Sequence, residues 1–412
     1  MNGGRLHRGW IAALARRDAS RLGAAGLLLA GSVLAGSLAT DGAPAHAAGD
    51  RGTAGWDGTN AAALTGNQQG FSVAISGNVA VTSAPGVQDD AGVAYIWLHQ
   101  GGAQHWRKVA TLPDPRHAKD DYYAWAVAAY STKSGTYLAI GGNDNNGKRD
   151  RVYIYTGSGT SWHLQATIDD PGTSYKDMYG DNLAISSTTL VVGASCGPRN
   201  SGAAYIYHHQ GSRWVLQDSI HNPLGLAENF FGQAVAVSGN RVMIGAVGWA
   251  YVYTHTSKGW KKTAVITNPG SSNDSFGQSV ALSGTGTVGV IAAPGVPPAG
   301  AAYVYHLSGT TWSRKQKLTE AGGGEFAWAV AMSGSELLVG MPIGGQPNCG
   351  AAFAYRLSGT KFVLQKEIAD PDSTCTSGAK FGYAVALTST YGIYGAPGAD
   401  KGHGTNYELP LP

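Results

Sequence analysis

From residue 69 onward, apolar and polar positions alternate in short runs, and breaks carrying Gly separate one run from the next. Alternation with period two marks strands with one buried face, whereas a helix repeats every 3.6 residues. Beyond the first 47 residues no stretch holds a helical period. The runs themselves recur. Phe231-Gly232-Gln233-Ala234-Val235, Phe276-Gly277-Gln278-Ser279-Val280 and Phe381-Gly382-Tyr383-Ala384-Val385 are one phrase, and degenerate copies begin at Gln69, Tyr123, Tyr179 and Phe326. The seven starts span 312 residues in six intervals, a mean of 52. That period belongs with propeller blades rather than with helical solenoids.

Each unit reads as four strands. The phrase itself is the first, and a β-branched run ending in a turn such as Gly395-Ala396-Pro397-Gly398 is the second. An alternating stretch such as Ala301-Ala302-Tyr303-Val304-Tyr305 is the third, and a strand opened by an aromatic, as at Trp312, is the fourth. Short hairpins such as Ser238-Gly239-Asn240 and Ser308-Gly309-Thr310 join them. The pattern predicts an all-β chain folded as one seven-bladed β-propeller of four-stranded blades over 48–412. Fourth-strand aromatics stand at Trp56, Trp106, Trp162, Trp214, Trp260, Trp312 and Phe362. The unit from Phe381 has three strands before Pro412, and Trp56 to Leu64 is a fourth strand with no preceding three. The N-terminal strand is therefore expected to close the last blade, leaving no open sheet edge.

The first 47 residues read as an export signal peptide. Arg5, Arg8, Arg16, Arg17 and Arg21 form a basic region, Leu22 to Ala39 an apolar run, and Ala45-His46-Ala47 a cleavage site. Arg16-Arg17-Asp18 resembles a twin-arginine signal, although Ala19 and Ser20 stand where apolar residues are usual; Sec and twin-arginine export both stay open. The expected location is extracellular or in the cell envelope, with no membrane span after cleavage. Composition agrees with a chain of strands and tight turns: 61 Gly, 20 Tyr and 11 Trp, 43% hydrophobic and 13% charged residues. Collagen is excluded because Gly has no three-residue period, and disorder because the apolar content is high. The net charge is +3, but the signal carries five basic and two acidic residues, so the mature chain has 24 of each. No nucleic-acid footprint follows from such a balance.

The phrase F-G-x-S-V-A-x-S-G, a β-run, G-A-P-G and G-A-A-Y-V-Y resembles the FG-GAP repeat of integrin alpha-chain propellers, and more closely that of bacterial extracellular FG-GAP proteins. The resemblance covers residues 53–412. Unit two has Gly141-Gly142-Asn143 in place of G-A-P, and unit one lacks the Phe. It implies partner binding through the face bearing the loops between strands 4 and 1 and between strands 2 and 3. Calcium in the family sits in D-x-D-x-D-G-x-x-D loops between strands 1 and 2. Here those hairpins read Ser76-Gly77-Asn78, Ser238-Gly239-Asn240 and Ser333-Gly334-Ser335, without carboxylates, so no cofactor is expected. A partial match at Asp144, Asn146, Gly147 and Asp150 falls after a second strand and reads as a solvated turn.

Other strings that look catalytic lose their context. Gly193-Ala194-Ser195-Cys196-Gly197 satisfies G-x-S-x-G without the following helix of a nucleophile elbow. Gly284-Thr285-Gly286-Thr287-Val288-Gly289 satisfies G-x-G-x-x-G without a helix to receive phosphate. His99, His208, His255 and His306 recur near the end of the third strand and read as structural. Trp125, Trp328 and Tyr383 share a strand face and are expected to pack between blades, and the Asp-Pro or Asn-Pro pairs that begin at 114, 170, 222, 268 and 370 as strand-ending turns. Asp181, where other units carry Gln or an aromatic, is the one oddity.

Charge placement is uneven. Seventeen of the 24 mature acids, against nine basic residues, fall in the 4–1 and 2–3 loops, a field able to steer a basic partner or a divalent cation. Asp89, Asp90, Asp120, Asp121, Asp144, Asp150, Asp170 and Asp372 are the candidate partner-binding residues. Cys349 and Cys375 lie in neighbouring loops of that face and are expected to form a disulfide, as export permits, leaving Cys196 free. The leading expectation is an exported, monomeric, non-enzymatic module for adhesion or binding to a protein or cell-surface partner. The alternatives are a carbohydrate-binding propeller taking a surface glycan, or a hydrolase or lyase acting in the central funnel.

Overall fold

The structure, a computed structural model, describes residues 68–412 apart from 101–105, 120, 143–148, 173–176, 197–200, 227–228, 271–273, 322–323, 346–347, 373 and 376–377. The predicted signal peptide and the strand predicted over Trp56 to Leu64 lie outside the described residues. Blade 1 comprises β1 (Val73–Ser76), β2 (Val79–Ala84), β3 (Val93–His99) and β4 (Trp106–Pro113), paired antiparallel in sequence order. The same order repeats in blades 2 to 6, at residues 126–169, 179–221, 234–267, 280–318 and 329–369. Blade 7 shows three strands among the described residues: Ala384–Leu387, Tyr391–Ala396 and Thr405–Pro410. Helix is confined to two single turns, Val87–Asp90 and Ala399–Gly402. The protein is an all-β, seven-bladed propeller.

First strands are buried throughout and pack on the first strands of both neighbours, so they form the innermost layer. Fourth strands form the half-exposed rim, where burial alternates as period two demands. In blades 1 to 6 the register of strands 3 and 4 shifts at one equivalent place, for example between Ile96 and Trp97 and between Val304 and Tyr305. A bulge there adds to the twist that each blade needs.

Ring closure is visible among the described residues. Val73 and Ile75 of β1 share one buried cluster with Ala384, Ala386 and Ile393 of blade 7. A parallel bridge joins Gln69 to Gly404, equivalent to those joining Gly202 to Phe231, Gly300 to Phe326 and Gly350 to Phe381. Close approach between blades explains much of the glycine. A Cβ on Gly193 would lie 2.1 Å from the Gly232 carbonyl oxygen of the next blade. At the closure, a Cβ on Gly395 would lie 1.9 Å from the Gly70 oxygen. Five such Gly–Gly approaches run round the ring. At the two remaining repeat positions Ala124 and Ala327 replace the second glycine and hold φ near 65° rather than near 90°.

Candidate functional site

Loop length is distributed unequally between the two faces of the ring. On one face, pairs such as Ser76 with Val79, Ser238 with Arg241, Gln210 with Arg213 and Ser308 with Thr311 close two-residue hairpins. On the other, the 4–1 and 2–3 connections run through segments such as 114–125 and 85–92. Long loops on a rigid scaffold are where binding and catalytic groups concentrate.

Five 4–1 loops open with the same device. Asp114, Asp170, Asn222, Asn268 and Asp370 each precede a Pro, and each Oδ1 accepts the N–H of the residue two positions on, at 3.0, 2.7, 3.0, 2.9 and 2.9 Å. Proline sets one dihedral and the side chain replaces a backbone acceptor, so the strand stops and the chain turns inward. A second polar residue follows just before the next blade: Asp121, Asp177, Asn229 and Asp274 are all buried.

This turn chemistry corrects the picture of an exposed acidic patch. Asp121, Asp150 and Asp170 are each only 1% exposed, because they serve loop backbone or bury against neighbouring blades. Asp121 pairs with the Arg116 guanidinium. The main-chain carbonyl of Asp150 accepts the Asp170 N–H at 3.1 Å. Asp90 ends the Val87–Asp90 turn, where its Oδ2 accepts the Tyr122 hydroxyl at 3.2 Å, and Asp89 precedes it. Asp372 accepts the Thr374 N–H and hydroxyl, which hold its carboxyl below the usual range. Asp120, Asp144 and Asn146 lie outside the described residues. Cys349 and Cys375 are bonded, with Cα atoms 6.3 Å apart, and Cys196 is free and buried.

The passage from blade 2 into the first strand of blade 3 holds three raised carboxyls. Burial, then the charge of Asp170, pushes Asp177 up to about 7. Burial also raises Asp170, against the Gly172 N–H and the Arg149 guanidinium. Asp181 is pushed up to about 8 by burial, despite hydrogen bonds from Ser195 and Asn182. Sequence reading kept Asp181 and Ser195 apart, yet the Ser195 hydroxyl donates to Asp181 Oδ2 at 2.7 Å. Both are buried, and the partner of Ser195 is a carboxyl rather than an imidazole, so the pair lacks the base of a hydrolytic triad.

One equivalent position at the start of each blade's first strand is held by Phe71, Trp125, Asp181, Gln233, Gln278, Trp328 and Tyr383. Phe71 lies 4.6 Å from Trp125 and 5.3 Å from Tyr383, and Trp328 lies 5.6 Å from Tyr383, centroid to centroid. Four blades thus share an aromatic arc and three present polar groups. Phe71 was missed in the sequence because it stands two positions after the usual Phe. The third-strand histidines also need one adjustment: His99, His209 and His255 are the residues paired with fourth-strand tryptophans, so His209 rather than His208 holds the repeat position. In blade 5 Leu307, not His306, meets Trp312.

Geometry defines the class first: a closed ring of antiparallel four-stranded repeats is a β-propeller. Residues 162–207 and 260–305 match the family model described as FG-GAP repeat, each match running from a fourth strand into the third strand of the next blade. The chain thus carries FG-GAP repeats on a seven-bladed propeller. No curated protein matches it in sequence. A protein of Lactobacillus plantarum has a similar structure, with a TM-score of 0.53 at 12% identity over 77% of this chain and 95% of its own. A Bacteroides uniformis protein described as a candidate 6-phosphogluconolactonase gives 0.52 at 9% identity, over 77% of this chain and 92% of its own. At such identities the likeness is one of fold alone.

Proposed function

We propose that this propeller is an exported, non-enzymatic binding module that engages a protein or cell-surface partner through its 4–1/2–3 loop face. The observation that carries the reading is the confinement of the long loops to one face of a rigid ring. The contact surface combines loop-borne polar groups, such as Asp372, with two apolar side chains, Leu224 and Leu226, 47% and 43% exposed in the loop between blades 3 and 4. Their loop carries Asn222 and Asn229 where the preceding loop carries Asp170 and Asp177. Exposed leucines within a polar rim suit a protein surface better than a sugar. Charge reversal at Asp121 tests folding rather than binding, since Arg116 holds it in the interior.

The test is capture of the surface fraction of the secreting cells, beside a glycan array, by the mature protein and by two double variants. Leu224→Asp with Leu226→Asp alters the loop face; Val363→Asp with Leu364→Asp alters the exposed rim. Binding lost only in the loop variant supports the reading. Binding lost only in the rim variant, or no binding by the unaltered protein, refutes it. Export is checked by mass: protein recovered from medium or envelope should begin at residue 48.

A further inference from the structure

We propose that the groove between the outer strands of blades 4 and 5 binds a strand of acidic polysaccharide. The fourth strands there, Gly259–Thr267 and Thr311–Leu318, carry Lys261, Lys262, Arg314, Lys315 and Lys317 and no acid. All five are exposed, and among the described residues none pairs with a carboxylate. Other outer strands do not concentrate charge in this way. Ser161–Asp169 has neither Lys nor Arg, Arg213–His221 balances Arg213 with Asp218, and Lys361–Ala369 sets Glu367 beside Lys366. A patch of one sign attracts a polymer of the other.

Among these cations runs a groove of about 540 Å³, whose walls include Ala264, Ile266, Pro269, Tyr305, Trp312 and Arg314. Trp312, Arg314 and Lys317 pair with Leu307, Tyr305 and Tyr303, alternate residues of the third strand. The bulge between Val304 and Tyr305 thus keeps all three on one face. Opposite them, Lys261, Ala264 and Ile266 share a face of blade 4, since they pair with Thr254, Val252 and Ala250. The two faces meet: Ala250, Val252 and Ile266 pack in one cluster with Tyr303 and Tyr305. The Trp312 ring is half-buried against that cluster and lies over Gly289, where a Cβ would stand 3.2 Å from it. Arg314 and Lys317 each hold their charge 5.8 Å from the centre of the Tyr303 ring.

The grooves on either side are bridged. Between blades 3 and 4, Gln217 Oε1 accepts the Trp260 indole N–H at 3.1 Å. Between blades 5 and 6, Gln316 accepts the Phe362 N–H at 2.7 Å and donates to the Phe362 carbonyl at 2.9 Å. Blade 4 carries Ala264 at the position of Gln316, and its methyl group is too short to reach across. An aromatic wall beside cations suits an acidic sugar. The C–H face of the sugar meets the negative face of the indole, while its carboxylate or sulfate pairs with guanidinium and ammonium. A flat bilayer would meet the lysines but not a half-buried ring. Nucleic acid asks for a positive excess over the whole domain, which the balanced chain beyond residue 47 does not give. The five charges sit on the rim, so this binding is independent of whether the loop face engages a partner.

The experiment is calorimetric titration of the protein from residue 48 onward with polygalacturonate and with dextran sulfate, at low and at moderate salt. Uncharged dextran, single-stranded DNA and phosphatidylglycerol vesicles are titrated alongside. One or both acidic polysaccharides should bind, more weakly as salt rises, and uncharged dextran should not. Which of the two binds distinguishes carboxylate from sulfate. Arg314→Gln with Lys317→Gln should weaken binding by about tenfold or more. Ala264→Gln keeps every charge and copies the residue used at Gln316; by filling the groove it should also cost about tenfold. Lys361→Gln with Lys366→Gln, on the next outer strand, should change affinity by less than about twofold. Melting temperatures verify the fold of each variant. Arg314 and Lys317 are exposed, so the test stands should Ala264→Gln prove unstable. No binding of either acidic polysaccharide, undiminished binding by the Arg314 and Lys317 double variant or by a folded Ala264→Gln, or equal affinity for dextran, DNA or vesicles would overturn the proposal.

Discussion

The loops at 114–121 and 170–177 begin with the same Asp-Pro turn, end on the same buried Asp and differ most where Arg116 faces Gly172. The first is closed electrostatically: its inner Asp121 carboxylate meets a guanidinium from the same loop. In the second, burial raises Asp170, and burial together with the charge of Asp170 raises Asp177. The residue two positions after the opening Asp therefore decides whether a guanidinium stands beside the inner carboxylate in the first loop. The lesson concerns repeats generally: copies share backbone, and departures at one position expose what that position does.

Breaking the first loop should have the largest effect. Arg116→Gly removes a guanidinium partner of a nearly fully buried carboxylate and should destabilise the protein by about 3–5 kcal/mol in urea denaturation. A loss below about 1 kcal/mol would show that Asp121 is satisfied without Arg116.

Neutralising the second loop should act in the opposite direction. Asp177→Asn removes a charge that burial disfavours and should stabilise the protein at pH 8 by roughly 2 kcal/mol. The unaltered protein carries the matching pH dependence. Asp177 binds its proton more tightly folded, at about 7, than unfolded, near 3.8. Between those values the native state holds more protons, so this group's contribution to stability falls as pH rises through the window and levels off above about 7. Asp170, Asp181, Arg149, Cys196 and Tyr205 share the surroundings and shape the curve without reversing its sign. Urea midpoints at pH 5, 6, 7 and 8, for the unaltered protein and Asp177→Asn, check both statements.

The smallest effect belongs to the third loop, where Leu224 holds the equivalent position and faces solvent. Leu224→Ser should change stability by less than about 0.5 kcal/mol, as surface substitutions do. Any consequence should appear in partner binding alone, read by titration of the captured partner.

Much of the fold was legible because strand, hairpin and repeat each leave a local signature. Alternation marked the strands, glycine the turns, and the phrase at Phe231, Phe276 and Phe381 the period. The site was legible only in part. The Asp-Pro and Asn-Pro pairs were visible as turns, but aligning them would also have set Arg116, Gly172, Leu224, Gly270 and Asp372 in one column. That column is the signal that could have revealed the odd loop. Matching the second glycines with Ala124 and Ala327 would likewise have pointed to contacts between blades. The contact between Ser195 and Asp181 had no such trace, since it joins a second-strand turn to a first strand fourteen residues earlier.

The sequence by itself determined the strands, their order, their number per repeat and the count of repeats, because each rests on neighbours within one blade. Only the tertiary structure decided that the last blade meets the first, and that six acids of the loop face, Asp114, Asp121, Asp150, Asp170, Asp177 and Asp274, are buried. Burial depends on which groups approach across blades, and a list of charges carries no such information. Thus a chain with acids crowded into its loops has an interior in which the Asp121 carboxylate meets the Arg116 guanidinium, a pairing that the order of charges along the chain does not reveal.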